Sequence, residues 1–211
     1  MEKVAKKLGA TIHYKTESSF MKFLGWLLFF NKSFMTGYTT TIGNRVYFSR
    51  KIESDEEYFR RAITLAHELV HVEDYQKHKI LFPIIYLLPQ LLAVFSLLAI
   101  FGIWNTSFFW CLLFLIFLFP IPSPGRMWAE VRGYSISMAV LYWTKRQLQP
   151  DYAPYLESFT GSNYYWMWPF ESDLRERFDL LKAAIKTNNI YKVIPLSADL
   201  RTAVSISKLT R

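Results

Sequence analysis

A chain of 211 residues, 52% of them apolar and 18% aromatic, has room for one domain, or for one domain carrying an insertion. Its single cysteine, Cys111, lies inside an apolar run, which excludes a disulfide framework and a cysteine metal site and fits a reducing compartment. The net charge of +8 is concentrated at the ends, in Lys3, Lys6 and Lys7 and in Lys182, Lys186, Lys192, Arg201, Lys208 and Arg211; basic ends beside apolar runs suit an anionic membrane surface, and no nucleic-acid motif accompanies them.

Residues 1–19 are polar and basic and do not form a signal peptide: the apolar run from Phe23 to Phe30 starts late, is short, and has no small-x-small cleavage site after it. Ser19 to Phe30 reads as a short amphipathic or buried helix capped by Ser18 or Ser19. The alternative is a helix in a membrane interface, with Lys22, Trp26 and Lys32 at the headgroups. Residues 38–48 carry β-type side chains on both sides of Gly43-Asn44, which predicts a hairpin of two short strands.

Ser54-Asp55-Glu56-Glu57 is a capping box and opens a helix that runs to about Lys79. Phe59, Ala62, Ile63, Ala66 and Val70 form its apolar stripe. Inside it lies His67-Glu68-Leu69-Val70-His71. Histidines four apart share a helix face, one turn above the other, as two imidazole ligands of a divalent metal require. Glu68 is about 100° round from His67, close enough to take a proton from a water that the metal polarises. Asp74 shares the histidine face and can hold a ring by its second nitrogen, or else be a solvated carboxylate near the helix end.

This stretch resembles the active-site helix of the zincins, the His-Glu-x-x-His zinc metallopeptidases. The resemblance implies zinc bound by His67 and His71, and Glu68 as catalytic base. It also implies a strand at a sheet edge that holds extended substrate, here Val46 to Ser49. The metzincin branch needs a glycine and a third histidine where this chain has Asp74 and Lys77.

From Ile80 to Phe101, and again from Ile103 to Ile121, the chain is uncharged and predominantly apolar. Together these runs predict a transmembrane helical hairpin with its tip near Gly102–Ser107, kinked in its first arm by Pro83 and Pro89. Asn105-Thr106-Ser107 reads as turn residues at that tip. Two crossings return the chain to the side it left. Lys77, Lys79, Arg126 and Arg132 flank the hairpin, so the positive-inside rule puts both flanks in the cytoplasm.

Beyond the hairpin, Ser123 and Pro124 suit the cap and first position of a helix, and Ala129, Gly133 and Ser137 form a small-residue stripe that admits a close neighbour. Glu130 lies beside the stripe and can complete a His₂Glu site with an open position. Glu157, Glu171 and Asp74 are the alternative carboxylates for this place. A glutamate on a later helix is the third ligand of gluzincins, and hydrophobic spans between the two helices resemble the membrane-bound HtpX-type peptidases. Those carry Glu-x-x-x-Asp, whereas the fourth residue after Glu130 here is Tyr134, a candidate donor to a developing oxyanion.

The helix continues to Gln149 and stops at Pro150. Residues 150–169 are rich in Tyr, Trp and Phe, suited to a substrate cleft, a membrane interface or core packing. Ser172 is expected to cap a helix with Leu174, Phe178, Leu181 and Ile185 on one face, and residues 191–211 to form a basic tail near the bilayer.

The expected fold is therefore mainly α with a small β-hairpin: zincin-like helices in 1–79 and 123–190, interrupted by a transmembrane hairpin in 80–122. The expected function is a membrane-anchored Zn2+-dependent peptidase acting on peptide or protein substrates, its active site on the cytoplasmic side. The rival is a non-catalytic membrane-embedded structural or partner-binding protein in which the motif is coincidental.

Overall fold

A computed structural model describes residues 1–29, 31–51, 54–144, 149–161 and 166–206. In chain order the elements are α1 (Glu2–Lys7), β1 (Thr11–Tyr14), a 3₁₀ turn (Lys15–Glu17), α2 (Ser19–Leu27), β2 (Thr40–Ile42), β3 (Arg45–Phe48), α3 (Asp55–His78) and α4 (Leu81–Leu87). Two arms of 3₁₀-type helix follow, Gln90–Ile103 and Thr106–Leu118. The rest is α5 (Pro124–Trp143), α6 (Ala153–Thr160), α7 (Glu171–Lys186), α8 (Ile190–Val193) and α9 (Ala198–Ile206). The protein is thus mainly helical, with one small sheet.

The chain forms two compact units. The first comprises Met1–Lys79, Arg132–Asp151 and the chain from Leu181 onward. Its sheet has the order β1-β3-β2, with β2 antiparallel and β1 parallel to β3. The β2–β3 hairpin turns at Gly43, whose φ of +61° belongs to the left-handed region that glycine enters without penalty. The third strand, β1, was not anticipated. It overturns one expectation: the segment expected to be a substrate-holding edge is the central strand, and β2 is an edge instead. A parallel pair such as Ile12 beside Val46 leaves no local turn in the sequence to announce it.

Ser54 caps α3, its hydroxyl accepting from the Glu57 amide at 3.3 Å. From Leu65 to Val72 every residue of α3 is buried, so the middle of this helix is enclosed all round rather than along one stripe. Ala66 and Val70 sit in the core as expected, while Phe59, Ala62 and Ile63 are half-buried. The C-terminal part of α5 adds Ile136, Met138, Ala139 and Trp143 to the core. The segment expected to be a basic tail folds onto this unit as far as it is described: Leu200 and Val204 of α9 are fully buried, and the Ser197 amide donates to Glu73 Oε2 at 3.1 Å.

The second unit is Ile80–Val131 with Tyr152–Leu180. The expected 22-residue first arm of the hairpin is broken. Pro89 ends α4, since it lacks an N–H and disfavours helical backbone at Leu88, and the chain turns by 88° into Gln90–Ile103. Among the described residues no single helix is long and apolar enough to cross a membrane, although this bent pair passes by combined length and composition. The arms meet through Phe95–Phe114 and Phe101–Phe108, and Gly102 lets the Phe109 ring approach to where a Cβ would stand 2.6 Å from it. Asn105 closes the tip by accepting from the Ser107 amide at 3.0 Å, which agrees with its reading as a turn residue.

The Ser123 hydroxyl, expected as a helix cap, donates to the Leu88 carbonyl. Gly125, two residues later, leaves room for Ile85, so the start of α5 lies tight against α4. The expected helix beginning at Ser172 begins at Glu171, and its face of Leu174, Phe178, Leu181 and Ile185 is buried. Of the aromatic stretch, Tyr152 and Phe159 both pack on Phe178, so these two serve the core. Tyr164 and Tyr165, and the helix end expected at Gln149, fall at or beside residues outside those described.

Candidate metal centre

The buried turns of α3 carry three polar side chains into the core: His67, Glu68 and His71. Burying such groups is costly unless each is partnered. The two rings present the same atom to one another, with Nε2 of His67 and Nε2 of His71 3.1 Å apart. Two imidazole nitrogens at that separation would serve as neighbouring ligands of one divalent cation.

The third member comes from α5. Gly133 lies against His67 so closely that a Cβ there would stand 2.6 Å from ring atoms Cε1 and Nε2. Only a residue without a side chain permits that approach, and it is the middle member of the anticipated Ala129-Gly133-Ser137 stripe. The division between the two units falls inside α5, after Val131, so Glu130 is tied to Gly133 by an unbroken helix. His67, His71 and Glu130 are all buried, and each offers one ligand atom, all within 4.8 Å of one another. This group can hold a metal ion. The Tyr86 hydroxyl donates to Glu130 Oε1 at 2.7 Å and orients the carboxylate.

Around this group the predicted residues take distinct places. Glu68 is buried and accepts from the Thr41 hydroxyl at 2.7 Å, so the edge strand β2 fixes one of its oxygens. The Tyr134 ring meets the His67 ring edge-on, centroids 4.7 Å apart. Asp74 is buried rather than solvated, and its carboxylate takes a two-point ion pair from Arg132, at 2.9 and 3.1 Å. Burial pushes the Asp74 carboxyl up from its ordinary range, and Arg132 pulls it part of the way back. Arg132, expected to flank the hairpin at a membrane surface, is therefore committed to the interior of the first unit. Glu157 is exposed and Glu171 pairs with Arg175 on the surface, so neither belongs to the group.

Four residues with a part in this arrangement were not assigned one from sequence: Lys15, Thr41, Tyr86 and Arg132. Lys15 is fully buried; its ammonium donates to the Phe34 carbonyl at 2.5 Å and lies 4.2 Å above the Phe34 ring. Burial pushes its pKa down to about 8, opposed by the negative charge of Glu68. No signal in the sequence marks these residues, because each acts through a partner 19 to 58 positions away.

Comparison with protein families, characterised proteins and solved structures finds no match for this chain.

The lysine gives a pH test of the packing. Between pH 8 and the unperturbed 10.5 the unfolded chain keeps a proton on Lys15 that the folded chain releases. Stability of the wild type relative to Lys15→Met is expected to be flat below pH 8. It then rises as pH climbs from 8 to 10.5, by at most about 3 kcal/mol. Urea unfolding of both proteins across this range reads the difference; a difference that stays level throughout would show Lys15 to be solvated.

Proposed function

We propose that this protein is a membrane-anchored, zinc-dependent hydrolase that cleaves peptide bonds, gluzincin-like in its ligand set. The observation that carries the reading is the buried His67–His71–Glu130 group with Glu68 next to it in the same enclosed turns. Two neutral imidazoles and one carboxylate form a donor set suited to Zn2+ with a position left open. When bound there, the ion supplies Lewis-acid polarisation of a carbonyl and makes a water acidic enough to ionise near neutral pH. Glu68, its Oε2 held by Thr41, accepts the water proton and delivers it to the departing amine nitrogen. Tyr134, one turn after Glu130 and edge-on to His67, donates to the oxyanion that forms on the carbonyl. Extended substrate adds to the sheet at β2, the edge strand that also touches Glu68.

Anchoring is assigned to the second unit. Leu97, Ile100, Ile103 and Trp104 of the first arm and its tip, and Trp110, Leu113, Ile116 and Phe119 of the second, are each between 59% and 75% exposed. An apolar surface of that size calls for lipid or a partner. A 3₁₀ winding rises about 2.0 Å per residue, so arms of 14 and 13 residues reach roughly 28 and 26 Å, somewhat short of a hydrocarbon core of about 30 Å, and α4 adds length to the first arm beyond its bend. Both arms keep their backbone hydrogen bonds internal, as lipid demands. With Lys77, Lys79 and Arg126 as the basic residues that flank the arms, the active site is assigned to the cytoplasmic side.

Metal analysis of the detergent-purified chain tests the proposal. About one zinc per chain is expected for the wild type, and almost none for His67→Ala or His71→Ala. A wild type without stoichiometric metal would overturn the enzyme reading and leave the non-catalytic membrane protein.

A further inference from the structure

The first unit carries an apolar face of its own. On α2, successive residues turn by about 100°, which puts Trp26, Phe23, Leu27 and Phe20 within an arc of about 120°, directly opposite Met21. Met21 is fully buried, and Gly25 lies against Met35, so the inner side of the helix is used. The outer arc is not covered: Phe20, Phe23, Trp26 and Leu27 are 50–71% exposed, and Phe29 just beyond is 79% exposed. An amphipathic helix of an ordinary domain shows polar residues to water, and this one shows four large apolar side chains.

The charge carried by this stretch of chain is of one sign, although two of its cations are paired from outside it, Lys51 with Glu17 and Arg50 with Glu57. From Ser18 to Ile52 the chain contains Lys22, Lys32, Arg45, Arg50 and Lys51 and no Asp or Glu. Lys22 stands at the border of the apolar arc, next to Trp26, and both Lys22 and Lys32 are exposed. An apolar stripe with tryptophan, bordered by lysines in a stretch without acidic residues, is complementary to the interface of an anionic bilayer, where rings enter the acyl boundary and ammonium groups meet phosphates.

We propose that α2 is an in-plane docking helix for anionic phospholipid, a second lipid contact on the unit that contains His67 and His71. It shares the lipid partner of the functional reading above but none of its observations. The helix is too short to cross a bilayer and lies along its surface, with Phe20, Phe23, Trp26 and Leu27 inserted to a shallow depth.

The test uses the full chain in nanodiscs of phosphatidylcholine, with and without phosphatidylserine. In a Cys111→Ser background, Phe23→Cys and Trp26→Cys carry an environment-sensitive fluorophore, and Leu113→Cys carries the same label on the hairpin. At both α2 positions, blue-shifted emission is expected, with quenching by shallow nitroxide lipid roughly twofold stronger than by deep nitroxide lipid. Phosphatidylserine strengthens the quenching, and Lys22→Glu with Lys32→Glu abolishes that gain. Water-like emission at both positions would overturn the proposal. Blue-shifted emission that no lipid quencher reaches would also overturn it, since a second copy of the chain would then cover the arc. The Leu113 label reports on the hairpin separately, so loss of the anchor and loss of the docking helix are distinct outcomes.

Discussion

Replacing Glu68 by glutamine is expected to leave a folded protein that keeps its metal and hydrolyses peptides about 10³-fold more slowly. Glutamine matches glutamate in shape, and its amide oxygen still accepts from the Thr41 hydroxyl, so the bond to β2 survives. What is lost is a group able to receive a proton. Because His67, His71 and Glu130 are untouched, zinc content should stay at the wild-type level. The discriminating measurements are kcat/KM on fluorogenic peptides, metal content and the melting temperature, taken on one preparation. Wild-type turnover with metal retained would remove Glu68 from the chemistry. Turnover and metal lost together would make it a structural residue of the centre. The variant also removes the charge that supports the Lys15 ammonium, so the Lys15 pKa should fall further below about 8.

Much of this centre was legible because its signals are local. The Ser54 cap, the His67–His71 spacing and the Gly43 turn each need only a few residues of context, and each stands where the spacing put it. The Ala129-Gly133-Ser137 stripe predicted a close neighbour without saying which; the ring of His67 against Gly133 identifies it. The features that were not legible depend on distant partners. β1 pairs in parallel across more than thirty positions, with no turn to mark it. Asp74 and Arg132 lie 58 positions apart, and nothing in either neighbourhood distinguishes a buried ion pair from two surface charges. The apolar runs were visible by composition, yet Pro89 turns the first one by 88°, so composition overstated the length of the arm. The tail was misjudged because α9 is mixed in sequence, and among its described side chains Leu200 and Val204 are the ones that are buried.

Gly133→Ala is the substitution expected to do most harm for its size. In an unconstrained helix interior this exchange stabilises by about 1 kcal/mol, because alanine loses less backbone entropy. Here the added methyl would lie 2.6 Å from Cε1 and Nε2 of His67 and 2.8 Å from Cδ2, inside any real carbon contact. Either α5 retreats or the ring turns. Neither leaves Nε2 where it now meets Nε2 of His71, and a retreat of α5 also draws back Glu130, one turn earlier on the same helix. Overpacking is expected to reverse the propensity gain, for a net loss of about 1–3 kcal/mol. Zinc affinity should fall by about 100-fold. Melting in excess chelator isolates the first effect, since no metal contributes there, and competition with a zinc indicator reads the second. The two need not move together: a variant that melts lower in chelator yet binds zinc as tightly as the wild type would mean that the ring of His67 yields without losing its aim. A variant that matches the wild type in both would mean that α5 does not press on His67 as closely as a 2.6 Å approach to Gly133 requires.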